Sequence, residues 1–227
     1  MISLEARTTE DWNAKWKASF QGIDVDPFWM VLPPWRLDEL DELKKTWPAN
    51  KRVLWLNPGA GFGTGTHETT QLCLETLGIY SRIHSLKNLE VLDFGSGSGI
   101  LSIGAALMGA HVLGVEIDEL ANDNARENAI LNELDTDQIS FQVDLPNDDA
   151  KKYHVVLANI LRPILLEFAQ PLVERLQPKG LLVLSGLVGT DLPEVIARYS
   201  SLLGGRQPLI REKGDWRALV WDLSQSA

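Results

Sequence analysis

Asp93-Phe94-Gly95-Ser96-Gly97-Ser98-Gly99 stands between an apolar run and a run of small apolar residues. Its glycines allow a tight turn and the close approach of a ligand to the backbone. The spacing is Gly-x-Gly-x-Gly, and Ile100 occupies the position where the dinucleotide fingerprint has its last glycine. Glu116 follows Gly95 by 21 residues, at the end of the next apolar run. A carboxylate there can accept hydrogen bonds from both hydroxyls of a ribose. The chemistry implied is the gripping of a nucleoside-bearing ligand.

Two further motifs are candidates for the same crevice. Asn57-Pro58-Gly59-Ala60-Gly61-Phe62-Gly63-Thr64-Gly65-Thr66-His67-Glu68-Thr69-Thr70 holds four glycines and four threonines within residues 59–70. No lysine follows the glycines, so it is not a phosphate-binding P-loop. It leads into a predicted helix from Glu68 to Leu77, whose free N–H groups suit an anionic group. His67 is a candidate base, substrate contact or loop anchor. Leu157-Ala158-Asn159-Ile160-Leu161 ends another apolar run. Where strand pairing stops, the Asn159 amide can reach a ligand, cap the next helix, or do both.

These residues need strands and helices to hold them. From residue 89 the pattern alternates. Strands are predicted at Leu89–Phe94, His111–Ile117, Ile139–Val143, Tyr153–Ile160 and Gly180–Val188. Helices are predicted at Ile100–Met108, Asp118–Asn132, Pro163–Leu176 and Leu192–Leu203. Gln207–Arg211 and Trp216–Leu223 read as a hairpin. Apolar strands separated by helices imply a mostly parallel sheet covered on both faces. Before residue 57 the chain is rich in Trp, Pro and charge, with short helices expected at Asp11–Lys17 and Asp38–Lys45 and a strand at Val53–Leu56. Residues 1–56 are expected to form a linker or wrap, and 57–227 the ligand-binding domain.

Composition narrows the class. Of 227 residues, 44% are hydrophobic and 23% charged, an ordinary globular balance. The net charge of −10 speaks against a broad grip on nucleic acid. The single cysteine, Cys73, excludes an intramolecular disulfide and a cysteine-based metal cluster, and fits a reducing, cytoplasmic compartment. No metal site is expected. No apolar run reaches the ~20 residues of a membrane span. Six of the eight tryptophans precede residue 56. Most are expected to be packing anchors, with Trp12 and Trp16 on a linker helix and Trp29 and Trp35 near the mouth of the site.

The Asp-x-Gly-x-Gly-x-Gly run with its following acid resembles the class I methyltransferases, which bind S-adenosylmethionine; an NAD enzyme is the neighbouring alternative. The resemblance is closer still to one family. Gly61 to Thr70, Asp93 to Leu101 and Ala158-Asn159-Ile160-Leu161 look like the PrmA family, which methylates large-subunit ribosomal protein eleven. Asp11 to Trp16 and Trp29 to Trp35 resemble that family's linker and the start of its catalytic domain. The resemblance implies a Rossmann-like α/β fold with a seven-stranded, mostly parallel sheet and an antiparallel C-terminal hairpin. It implies cofactor contacts at Thr70, Gly95, Glu116 and Asn159. Gly97, Phe62, Thr64 and Asp93 are further candidate cofactor contacts, and Asn159 and His67 are the candidate catalytic residues. The family usually has Asp where this chain has Glu116; the longer side chain keeps the acceptor.

The expected reaction is therefore methyl transfer from S-adenosylmethionine to an amine of a protein, a lysine side chain or an N-terminal amine. The acceptor is expected to be a protein, a ribosomal one by the resemblance, with no direct nucleic-acid or membrane binding. The sequence starts where the family's linker starts, so the family's usual small recognition domain has no counterpart in it. That keeps open a lysine methyltransferase like the electron-transfer-flavoprotein branch. A small-molecule or RNA methyltransferase stays open as well, as does a non-catalytic S-adenosylmethionine-binding module.

Overall fold

The computed structural model describes residues 21–48, 51–59, 66–146 and 151–224. The expected helix at 11–17, with Trp12 and Trp16, and the expected contacts Phe62 and Thr64 lie outside these residues.

The described chain opens with a sheet of three strands, β1 (Ile23–Val25), β2 (Trp29–Leu32) and β3 (Arg52–Trp55). A 3-10 turn at Pro34–Glu39 and the short helix α1 (Leu40–Lys44) link β2 to β3. Helix α2 (Glu68–Ile83) then leads to an alternating series: β4 (Glu90–Phe94), α3 (Ile100–Leu107), β5 (His111–Val115), α4 (Glu119–Leu131) and β6 (Ile139–Gln142). It continues with β7 (Tyr153–Asn159), α5 (Arg162–Glu167), α6 (Ala169–Glu174), β8 (Leu176–Val188) and α7 (Leu192–Leu202). The hairpin β9 (Leu209–Lys213) and β10 (Trp216–Asp222) follows.

The larger sheet has seven strands in the order β6-β5-β4-β7-β8-β10-β9. Strands β4 to β8 run parallel, and β10 is antiparallel to both β8 and β9. This is the α/β sheet that the alternating pattern predicts. The chain builds outward from β4 to β6, then returns to the other side of β4 with β7. Such a reversal opens a crevice at the carboxyl ends of β4 and β7, where ligands bind in sheets of this kind.

Period-two alternation feeds two cores. Val91, Val155, Leu157 and Val183 face one cluster with Leu74 and Ile103 of α2 and α3. Leu92, Val156, Leu182 and Leu184 face the other with Leu165, Leu172 and Val195 of α5, α6 and α7. The first cluster also takes in Val25, Trp29, Val31 and Leu54, so the small sheet shares the core of the large one. The sequence pattern does not predict strands β1 and β2. They are short, and Pro27, Pro33 and Pro34 mask their alternation.

Two further differences have local causes. The helix expected over Pro163–Leu176 divides at Phe168, which has φ −90° and ψ 9°. Pro171 has no N–H to give the Glu167 carbonyl and crowds it, which favours a break there. Helix α2, expected to stop at Leu77, continues through Gly78 to Ile83. A Cβ at Gly78 would lie 2.2 Å from Phe28 Cδ2. That glycine admits a packing ring and does not end the helix.

Candidate functional site

The crevice is built first by the loop after β4. The N–H groups of Gly95 and Ser96 both donate to the Val115 carbonyl, at 2.7 and 3.1 Å, which ties the loop to the end of β5. Gly95 has φ +78°, and a Cβ on it would lie 2.1 Å from Ile160 Cγ2. The position therefore needs glycine both for its left-handed backbone and for space. Half-buried Glu116 follows β5. Its Oε2 accepts from the Gly97 N–H and its Oε1 from the Asp118 N–H, both at 3.1 Å. Each oxygen keeps a further lone-pair direction for an incoming hydroxyl.

The opposite end is built by α2, β7 and β10. His67 is the N-cap of α2: the Thr69 N–H donates to its Nδ1 at 3.4 Å, and Thr69 Oγ1 lies 2.8 Å from the same nitrogen. Its ring meets Trp216 edge-on, with centroids 4.6 Å apart. Asn159 ends β7, and its Nδ2 donates to Thr70 Oγ1 at 3.3 Å. The Asn159 Oδ1 is buried and accepts no hydrogen bond among the described residues. An unpaired buried acceptor is costly, and a ligand N–H in the crevice would satisfy it.

Both ends face one cavity of about 750 Å3, in the size range of small-molecule sites. Its wall brings together His67, Thr70, Gly95, Gly97, Glu116 and Asn159, six residues singled out in the sequence from three separate motifs. Ile117 and Leu161 at its wall are strongly exposed, which leaves apolar surface for a ligand to cover.

The structure places three of the residues singled out in the sequence off the cavity wall. Asp93 is not on the cavity wall: it is fully buried, and its Oδ2 accepts from the Ser102 hydroxyl at 2.6 Å. It ties the end of β4 to the first turn of α3. Trp29 and Trp35 do not line the cavity either. All four residues of β2 are buried, and the Trp29 indole N–H donates to the Leu74 carbonyl in the core; Trp35 sits on the 3-10 turn. The tryptophan in the wall is Trp216, whose sequence neighbours suggest only a plain hairpin. The tertiary pairing of β10 with β8 brings it there. Gly186 of β8 also lines the cavity, at φ +84°, where a Cβ would lie 2.5 Å from the Ile160 carbonyl oxygen.

Burial pushes the Asp93 carboxyl up to about 6, against the Ser102 hydrogen bonds and with a small addition from the Glu116 charge. The folded state therefore binds this proton more tightly than the unfolded chain does. Between about pH 4 and pH 6 the Asp93 contribution to stability falls as pH rises, by about 3 kcal/mol in all. Asp93→Asn is expected to remove that slope from a series of denaturant unfolding curves across this range. An unchanged slope would count against the buried carboxylate as its source.

Comparison with known proteins supplies the remaining findings. Residues 1–223 match the family model described as ribosomal protein L11 methyltransferase (PrmA). A ribosomal protein L11 methyltransferase of Pelobacter propionicus is 40% identical over 216 residues, which is 94% of this chain and 67% of that protein. One of Listeria welshimeri is 34% identical over 213 residues, 93% of this chain and 64% of that protein. The chain thus spans about two thirds of the length of such curated relatives. The crystal structure of a ribosomal protein L11 methylase from Lactobacillus delbrueckii subsp. bulgaricus has a TM-score of 0.71 at 29% identity, covering 88% of this chain and 97% of that one. Among the described residues no helix is long and apolar enough to cross a membrane.

Proposed function

Because this chain belongs to the ribosomal protein L11 methyltransferase (PrmA) family, we propose that its cavity binds S-adenosylmethionine and transfers the methyl group to an amine of a protein. The observation that carries this reading is the buried Asn159 Oδ1, which accepts no hydrogen bond among the described residues, in the same cavity as Glu116. The names of the relatives favour a ribosomal protein as acceptor, and with it a cytoplasmic enzyme. In this reading residues 57–227 form the cofactor-binding domain, and the preceding segment braces it through the shared core.

The residues present suit the cofactor. Glu116 has acceptor capacity for two ribose hydroxyls, and Gly95 and Gly97 let the amino-acid portion lie close to the loop backbone. S-adenosylmethionine, when bound, supplies a methyl group activated by its sulfonium. Asn159 Oδ1 accepts an N–H of the acceptor amine and so aims the nitrogen lone pair along the transfer axis. Thr70 fixes that amide by accepting from its Nδ2. A lysine amine has a pKa of about 10.4 in water and must become neutral to react. The apolar wall that includes Trp216 favours the neutral form by desolvation. His67 Nδ1 is engaged with Thr69, which anchors the start of α2; the ring's other nitrogen or water at the mouth takes the proton. Alignment of two held reactants can lower the barrier by roughly 7–11 kcal/mol.

The test is methyl transfer from isotope-labelled S-adenosylmethionine into a bacterial extract, resolved into protein, RNA and small-molecule fractions. Label in a protein band of ribosomal origin is expected. Label in RNA or small molecules, or cofactor binding without transfer, would overturn the reading. Glu116→Ala is expected to weaken cofactor binding about 10- to 100-fold in calorimetry, the size expected for lost hydrogen bonds to a charged group. Wild-type affinity in that variant would remove Glu116 from the ribose.

A further inference from the structure

Helix α4 carries asparagine at 124 and 128, and Asn132 caps its end; the three are four residues apart and so on one face. All three are buried. Asparagine is a poor helix former, and a buried amide needs partners, so the row calls for an explanation. Each of the three reaches backbone outside its own helix. Asn132 Oδ1 accepts from the Trp55 N–H at 2.8 Å, and its Nδ2 donates to the Trp55 carbonyl at 2.7 Å. Asn124 Nδ2 donates to the Asn57 carbonyl at 3.2 Å. Asn128 does something different. Its Oδ1 accepts from the Asn57 N–H at 2.7 Å, while its Nδ2 donates to the Ser98 carbonyl at 3.0 Å.

Ser98 lies inside the glycine loop, between Gly97, whose N–H binds Glu116, and Gly99, the N-cap of α3. Asn128 is not on the cavity wall. It holds the loop from the α4 side while Glu116 holds it from the cavity side. We infer that Asn128 is a positioning residue for the cofactor: one amide sets the glycine loop in register with the strand exit at Asn57. Asn132 serves as the internal contrast, because its partners are Trp55 and the Asn128 carbonyl and none of them is in the loop.

This inference rests on the cavity being the S-adenosylmethionine site, and its test separates the two. Wild type, Asn128→Ala, Asn128→Ser and Asn132→Ala are compared by thermal melting of the free protein. S-adenosylmethionine titration calorimetry is then run well below every melting point. Asn128→Ala is expected to weaken binding about tenfold, the scale of one lost buried hydrogen bond. Asn128→Ser, whose shorter side chain cannot span both partners, is expected to weaken it as well. Asn132→Ala is expected to melt at lower temperature yet bind within about twofold of wild type. If the folded Asn128 variants bind like wild type, or if Asn132→Ala loses as much affinity, Asn128 is merely structural and the inference fails. If wild type itself shows no heat of binding, the reading of the cavity fails first.

Discussion

Asn159→Ala is expected to slow methyl transfer about a hundredfold under single-turnover conditions at saturating cofactor, with a melting temperature close to wild type. The size follows from its proposed role: placing the acceptor nitrogen, where a misplacement of about 1 Å at a reacting centre can cost about 10²-fold. The fold is expected to tolerate the change, because among the described residues the side chain makes one hydrogen bond, to Thr70, and its oxygen accepts none. Asn159→Asp sharpens the test. A carboxylate there favours the charged ammonium of the acceptor, so the rate should rise with pH over a higher range than in wild type. Unchanged turnover in the alanine variant would take Asn159 out of the mechanism.

Gly95→Ala is expected to affect both stability and cofactor binding strongly. Its φ of +78° is costly for any residue with a Cβ, by about 1–2 kcal/mol. The added atom would also fall 2.1 Å from Ile160 Cγ2. Forcing that contact apart adds roughly 1–3 kcal/mol. At about 2–4 °C per kcal/mol for a chain of this size, the melting temperature should drop by roughly 5–15 °C. Ile160 adjoins Asn159, so the displacement reaches the catalytic end as well. The next contact of that Cβ, Ile160 Cβ, lies 3.6 Å away. Trimming the side chain in Gly95→Ala/Ile160→Ala should therefore recover part of the loss, as a coupling in a double-mutant cycle. Strict additivity would show that the clash is not the cause.

Much of this site is legible in the amino-acid sequence because its chemistry lies at strand ends. The run from Asp93 to Gly99, the acid at Glu116 and the amide at Asn159 each follow an apolar strand. A parallel sheet brings such ends to one edge, and there they meet. What the sequence hides is set by tertiary contact. Asp93 reads like a ligand contact by its motif, yet it is drawn beneath the loop by Ser102, in the first turn of α3. Trp29 and Trp216 look alike as letters; one belongs to a buried strand of a second sheet, the other to a strand paired with β8. The break at Phe168 is readable from Pro171, whereas the passage of α2 through Gly78 depends on Phe28, 50 residues away.

The placing of β10 between β8 and β9 has a consequence for the order in which the cavity comes into being. The loop at Gly95 and the acid at Glu116 are joined through one β-α-β unit, a contact closed over about two dozen residues. The wall that His67 shares with Trp216 closes over 149 positions. Long closures carry the larger entropic cost and form later. Trp216 also leaves the ribosome after every other residue of the described wall. During synthesis and refolding alike, the half built by Gly95 and Glu116, to which the nucleoside is assigned, is expected to take shape first. The half assigned to the amine has its Trp216 wall only when the sheet accepts its antiparallel strand.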